Sequence, residues 1–193
     1  MNKTRLEAFS DGVIAIIITI MVLEIKVPHE SNWEGLFNLR SVFLSYLLSF
    51  VGLGIYWVNH HHLIQTIKKV KASILWANLN LLFWLSLFPF VTEWMGESHF
   101  AKNSVIAYAF IANLCGVSYF FLLMAIKKNH LDHEDVLKLL KHQADKGLLS
   151  AVSYLISFIV GFFYPMISVI IFIIIALIWI IPDRNIEKAL DNK

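Results

Sequence analysis

The sequence predicts an all-α integral membrane protein with six transmembrane helices in one domain spanning 1–193, and three observations carry that prediction. The 193 residues are 58% hydrophobic and 14% aromatic, with only 16% charged, and their mean hydropathy is +0.67. That is too apolar for a single water-soluble core with a solvated shell. Apolar runs recur at about the length a membrane crossing needs. The basic residues then divide unevenly between the loops that a six-span count creates.

The first run, Gly12 to Leu23, covers about 18 Å of helix and is shorter than the ~30 Å hydrocarbon core. Three readings compete for so short a segment: a signal peptide, a buried core helix, or an inner helix lining something wet. Glu7 and Asp11 precede the run, and Glu24, Ile25 and Lys26 stand where a small-residue cleavage site belongs, which disfavours a signal peptide. Runs at about Val42–Ile64, Ala72–Trp94 and Val105–Ile126 supply the second, third and fourth spans. From Leu148 to Ile181 the chain is apolar for roughly 51 Å if it were one helix, so it folds back at Tyr164 and Pro165, where proline breaks the preceding ladder. The polar stretch 127–147, with Leu137, Leu140 and Ala144 at helical spacing, reads as a short cytoplasmic surface helix.

With six spans both termini share a side. That side holds Lys3, Arg5, Lys68, Lys69, Lys71, Lys127, Lys128, Lys138, Lys141, Lys146, Arg184, Lys188 and Lys193, while Lys26, Arg40 and Lys102 lie opposite. The bias places both termini in the cytoplasm, and the expected location is the plasma membrane. A formal charge of +2 gives no reason to expect nucleic acid as a partner. Cys115, the single cysteine, cannot form an internal disulfide and reads as a small buried residue.

Arg5, then Phe9, Ser10 and Asp11 running into Gly12 Val13 Ile14 Ala15 Ile16, resembles the signature of the transmembrane protein 175 family of potassium channels. Trp57 with His60 and His61 late in the second helix, and Pro89 Phe90 late in the third, extend the resemblance along the chain. It implies a homotetramer whose first helices surround a central pore, with a hydrophobic constriction and no potassium-channel filter loop. No TVGYG-like stretch is present, as that resemblance requires.

On a helix Ile16, Ile20, Leu23 and Val27 fall in one stripe with Thr19 at its edge. Taken alone, such a stripe reads first as that of a helix packed in protein. The resemblance maps the narrowest ring onto Ile16 and a hydroxyl layer onto Thr19, with Ile20 and Leu23 forming wider rings toward the outside. Four isoleucines offer no oxygen to replace a hydration shell, so passage depends on partial dehydration and on wetting of the constriction. Potassium sheds water more easily than sodium, so the expected activity is a potassium-preferring leak. No cofactor is expected, with K+ as the permeant ion among monovalent cations, and the expected partners are further copies of the chain and membrane lipid. A catalytic function is not expected.

Ser10 and Asp11 are also residue types that cap helices. An ionisable side chain this near an apolar run has a partner, and Arg5, Trp57, His60 and His61 are available, so one or two histidines are expected to pair with Asp11 or Trp57. The resemblance points to a structural network between the first helix and the next two. His60, His61 and His62 point about 100° apart and cannot all bind one metal, so no metal or haem site is expected there. His130 and His133, with Asp132 and Glu134, read as a solvated segment. Asn78, Asn80 and Asn113 are expected to hydrogen-bond between helices. The rival readings are a secondary ion transporter, which needs inverted repeats and broken helices, a membrane redox or metal enzyme, and a non-conducting membrane assembly protein.

Overall fold

The computed structural model describes residues 2–28, 31–128 and 134–180, and every described element is helical. His29, His130, Asp132 and His133 lie outside the described residues, as do Arg184, Lys188 and Lys193. The first helix, α1, is Lys3–Leu23, so it starts well before the apolar run. Asn2 caps it, its side chain accepting the Arg5 N–H at 3.0 Å. Ser10 and Asp11 therefore sit in mid-helix, and their capping reading is corrected. Val27 lies beyond the helix end and is not part of its stripe.

A short helix, α2 (Trp33–Asn38), leads into α3 (Arg40–Gln65). The expected third span is two helices, α4 (Ala72–Leu85) and α5 (Phe88–Glu97), broken at Ser86–Leu87. Pro89 causes the break, since it has no N–H to offer the carbonyl four residues back. Then follow α6 (Lys102–Lys127), α7 (Glu134–Gly161) and α8 (Pro165–Ile180). The turn before α8 is where Tyr164 and Pro165 place it, with proline opening the new helix. Of the stretch 127–147 expected to form a separate surface helix, 134–147 is instead the beginning of α7. No proline interrupts 134–161, and Leu140 and Ala144 are buried, so the segment packs as one rod with the span that follows. Among the described residues five segments are long and apolar enough to cross a membrane, and α8, at 16 residues, is a shorter apolar helix.

Contacts at the helix ends fix the up-and-down order. Lys3 bonds Gln65 at 3.2 Å, joining the start of α1 to the end of α3. Lys26 reaches Glu93 at 3.7 Å and bonds Glu97, joining the far end of α1 to the end of α5. Glu97 holds the Lys26 ammonium above its ordinary pKa, by hydrogen bond first and charge second. The centre of the bundle is α6, packed on α4, α5, α7 and α8. Its buried face includes Val105, Ala109, Cys115, Leu122 and Ile126.

Hydroxyls and amides tie the helices where apolar packing against lipid gives no preference. Thr92 donates to Ser49 at 2.7 Å, and Ser49 pairs with Tyr108 at 3.1 Å, linking α5, α3 and α6. Asn80 donates to Ser118 at 2.7 Å and Asn113 to the Ala151 carbonyl at 2.9 Å, the interhelical roles expected of them. Ser157 and Ser168 pair at 2.6 Å between α7 and α8.

Candidate pore-lining face and its polar brace

Helix α1 packs on α3, α4 and α5 from one side only. Leu6, Ser10, Ile14, Ile17 and Met21 face that side and are buried. They recur at intervals of three and four, which is one helical face. The opposite face carries Ile16 (58% exposed), Ile20 (39%) and Leu23 (79%), with exposed Thr19 between them. Ile16 and Ile20 also border a groove of about 520 Å³ shared with Ser86, Pro89 and Phe90 at the α4–α5 break, which ends at Glu24 and Glu93. The break thus opens space beside the upper half of α1.

Thr19 donates its hydroxyl proton to carbonyls of its own helix, Ile16 at 2.9 Å and Ala15 at 3.0 Å. With the proton used there, the exposed Oγ1 can offer only lone pairs outward. Such an oxygen suits a cation better than an anion.

The buried side is held by two polar groupings. In the inner one Ser10 donates to the Leu6 carbonyl at 2.9 Å and accepts from Asn78 at 3.0 Å. Because the Asn78 amide nitrogen is the donor there, its carbonyl oxygen faces His60 Nε2 at 2.7 Å, and Nε2 carries the proton. All three side chains are buried. The outer grouping lies toward the helix start. Trp57 donates its indole N–H to Asp11 at 3.1 Å, Gln65 donates to Glu7 at 2.7 Å, and His61 Nδ1 meets the same Glu7 oxygen at 3.0 Å.

Trp57 pairs with Asp11, and one histidine, His61, packs its ring against Trp57 with centroids 6.5 Å apart, as the sequence reading expects; His61 also meets Glu7, while His60 goes to Asn78 instead. Arg5 and Phe9 are exposed on the subunit, and the Arg5 guanidinium makes no hydrogen bond or ion pair among the described residues. Glu7 and Gln65 escaped the sequence reading as members of the site. The signal for Glu7 was its place four residues before Asp11, one turn along the same face; Gln65 had none.

The sequence profile of the family described as "Endosomal/lysosomal potassium channel TMEM175" matches residues 5–89. A potassium channel from Chryseobacterium sp. (strain P1-3) is 51% identical over 190 residues, covering 98% of each chain. The endosomal/lysosomal proton channel TMEM175 of Gallus gallus is 33% identical over 132 residues, 62% of this chain and 26% of that one. The crystal structure of a lysosomal potassium-selective channel TMEM175 homolog from Chamaesiphon minutus superposes with a TM-score of 0.83 at 26% identity, covering 95% of this chain and 97% of that one. A full-length relative at this identity, the profile match over the residues that carry the Phe9-Ser10-Asp11 string, and the shared helical architecture lead to one conclusion: the chain belongs to the TMEM175 family of ion channels.

Proposed function

We propose that the protein is a potassium-preferring cation leak channel. It assembles as a homotetramer in the plasma membrane, both termini in the cytoplasm, and the exposed face of α1 lines the pore. The observation that carries the reading is the one-sided packing of α1, which leaves Ile16, Thr19, Ile20 and Leu23 uncovered along a helix of 21 residues. Four copies of that face around an axis bury the apolar side chains against each other and leave a passage where they meet. The Ile16 ring is the constriction and the Thr19 oxygens supply polar lining one turn away. Selectivity then follows the cost of partial dehydration, lower for potassium than for sodium, and no carbonyl cage is involved. The fully matched relative is named as a potassium channel, which supports potassium as the permeant ion.

The test is flux from liposomes holding the purified chain. A potassium gradient should drive uncoupled, non-saturating cation movement, with sodium slower. Saturating exchange coupled to a second ion would replace the channel with a transporter. No flux from well-assembled protein would leave a membrane assembly protein. A proton current larger than the potassium current would move the permeant ion to the one named for the Gallus gallus relative.

A further inference from the structure

Glu7 and Asp11 stand one turn apart on α1, and His61 comes to them from α3. One ligand-capable atom from each, an imidazole nitrogen and two carboxylate oxygens, lies within 4.8 Å of the others. Neither carboxylate has a lysine or arginine within ion-pair distance among the described residues. Lys3 bonds Gln65, the residue whose amide N–H reaches Glu7. Two negative charges one turn apart thus share one imidazole, one indole and one amide as partners.

We propose that Glu7, Asp11 and His61 form a binding site for a divalent transition-metal ion of the zinc type, which clamps the start of α1 to the end of α3. One imidazole and two carboxylates are a borderline donor set, suited to Zn2+ and less so to Mg2+, which takes oxygen ligands. Ligand distances of about 2.0–2.2 Å place ligand atoms about 3.4 Å apart on a tetrahedral ion, so the side chains close by about 1 Å. His61 is 42% exposed and Glu7 16%, which leaves the ion a way in. Three protein ligands leave a fourth position for water. The doubled negative charge is neutralised in the same step. The site does not rest on the conduction reading, since a chain that bound zinc without conducting would keep it.

The experiment is Zn2+ titration of the purified full-length protein in detergent, against a chromophoric chelator, with thermal melting as a second readout. One tight Zn2+ per subunit is expected, with a melting midpoint that rises with Zn2+ and not with Mg2+, because a ligand of the folded state stabilises it by mass action. His61→Ala and Glu7→Gln should each weaken binding at least about tenfold and abolish the Zn2+-dependent rise. Glu7→Gln keeps the shape of the side chain, so it decides the matter if His61→Ala fails to assemble. Unchanged stoichiometry and affinity in both variants would overturn the proposal. So would a tight site that survives them and disappears when His130 and His133 are replaced by alanine.

Discussion

Asn78 donates to the hydroxyl of Ser10 at 3.0 Å and so joins α4 to the buried side of α1. Its other end receives the His60 N–H at 2.7 Å, which makes one amide the joint between three helices. Asn78→Leu removes both bonds. Ser10 still has the Leu6 carbonyl, but the His60 N–H is left buried without an acceptor, a cost of about 1–3 kcal/mol. The thermal midpoint of the assembled protein should fall, and adding Ser10→Ala to Asn78→Leu should lower it further by much less than Ser10→Ala does alone. Additive losses would show that the two side chains do not act as a unit.

Ile16 is more than half exposed on the subunit, so replacing it disturbs little of the subunit's own packing. Ile16→Asn should change subunit stability by no more than about 0.5 kcal/mol. Four amides at the proposed constriction should wet it, raising total conductance and lowering the potassium-to-sodium permeability ratio. Reversal potentials in mixed potassium and sodium measure this, and an unchanged ratio in assembled protein places the constriction elsewhere.

Thr19→Val separates the hydroxyl from the shape. The lost bonds run to the carbonyls of Ala15 and Ile16, groups already engaged in the helix, and valine is tolerated there at a few tenths of a kcal/mol. Assembly should be intact while potassium current, or the preference for potassium over sodium, declines. Identical currents and reversal potentials would assign Thr19 to contacts between helices.

The bond from Trp57 to Asp11 lies at the solvent-accessible edge of the polar brace, with Asp11 half-buried and Trp57 45% exposed. It is a hydrogen bond to a charged group, worth about 1.5–3 kcal/mol when sheltered and less in the open. Trp57→Phe and Asp11→Ala should therefore reduce the yield of oligomer in detergent by similar amounts, and the double variant should lose no more than either. Selectivity measured on the oligomer that survives should match the parent. A large selectivity change with full assembly would make Asp11 an ion contact.

Gly96 allows α5 to cross α3 closely. A Cβ there would stand 2.7 Å from the Val42 Cα, a backbone atom that cannot rotate away. Gly96→Ala should destabilise the protein by about 1–3 kcal/mol through overpacking, seen as a lower melting midpoint. Gly54→Ala, where nothing lies within 4 Å, should be neutral or slightly stabilising in the same assay, because alanine favours a helix.

Hydropathy is a local property, and what depends on it was legible in the sequence: the run of spans, the fold-back at Tyr164 and Pro165, and an apolar stripe on the first helix. The Phe9-Ser10-Asp11 string was legible as a family resemblance because those residues are neighbours in sequence. Tertiary structure alone decided which histidine meets which partner. Ser10 and Asn78 are 68 positions apart, and Trp57 and Asp11 are 46 apart; His60 and His61 differ by one position yet point to different helices, since adjacent residues turn about 100°. It also decided that 134–161 is one rod, because Leu140 and Ala144 find buried places that hydropathy cannot foresee. The one-sidedness of α1 is likewise a packing result: a helix apolar around much of its surface carries no mark of which face its own subunit covers, and only the positions of α3, α4 and α5 leave Ile16 and Thr19 uncovered.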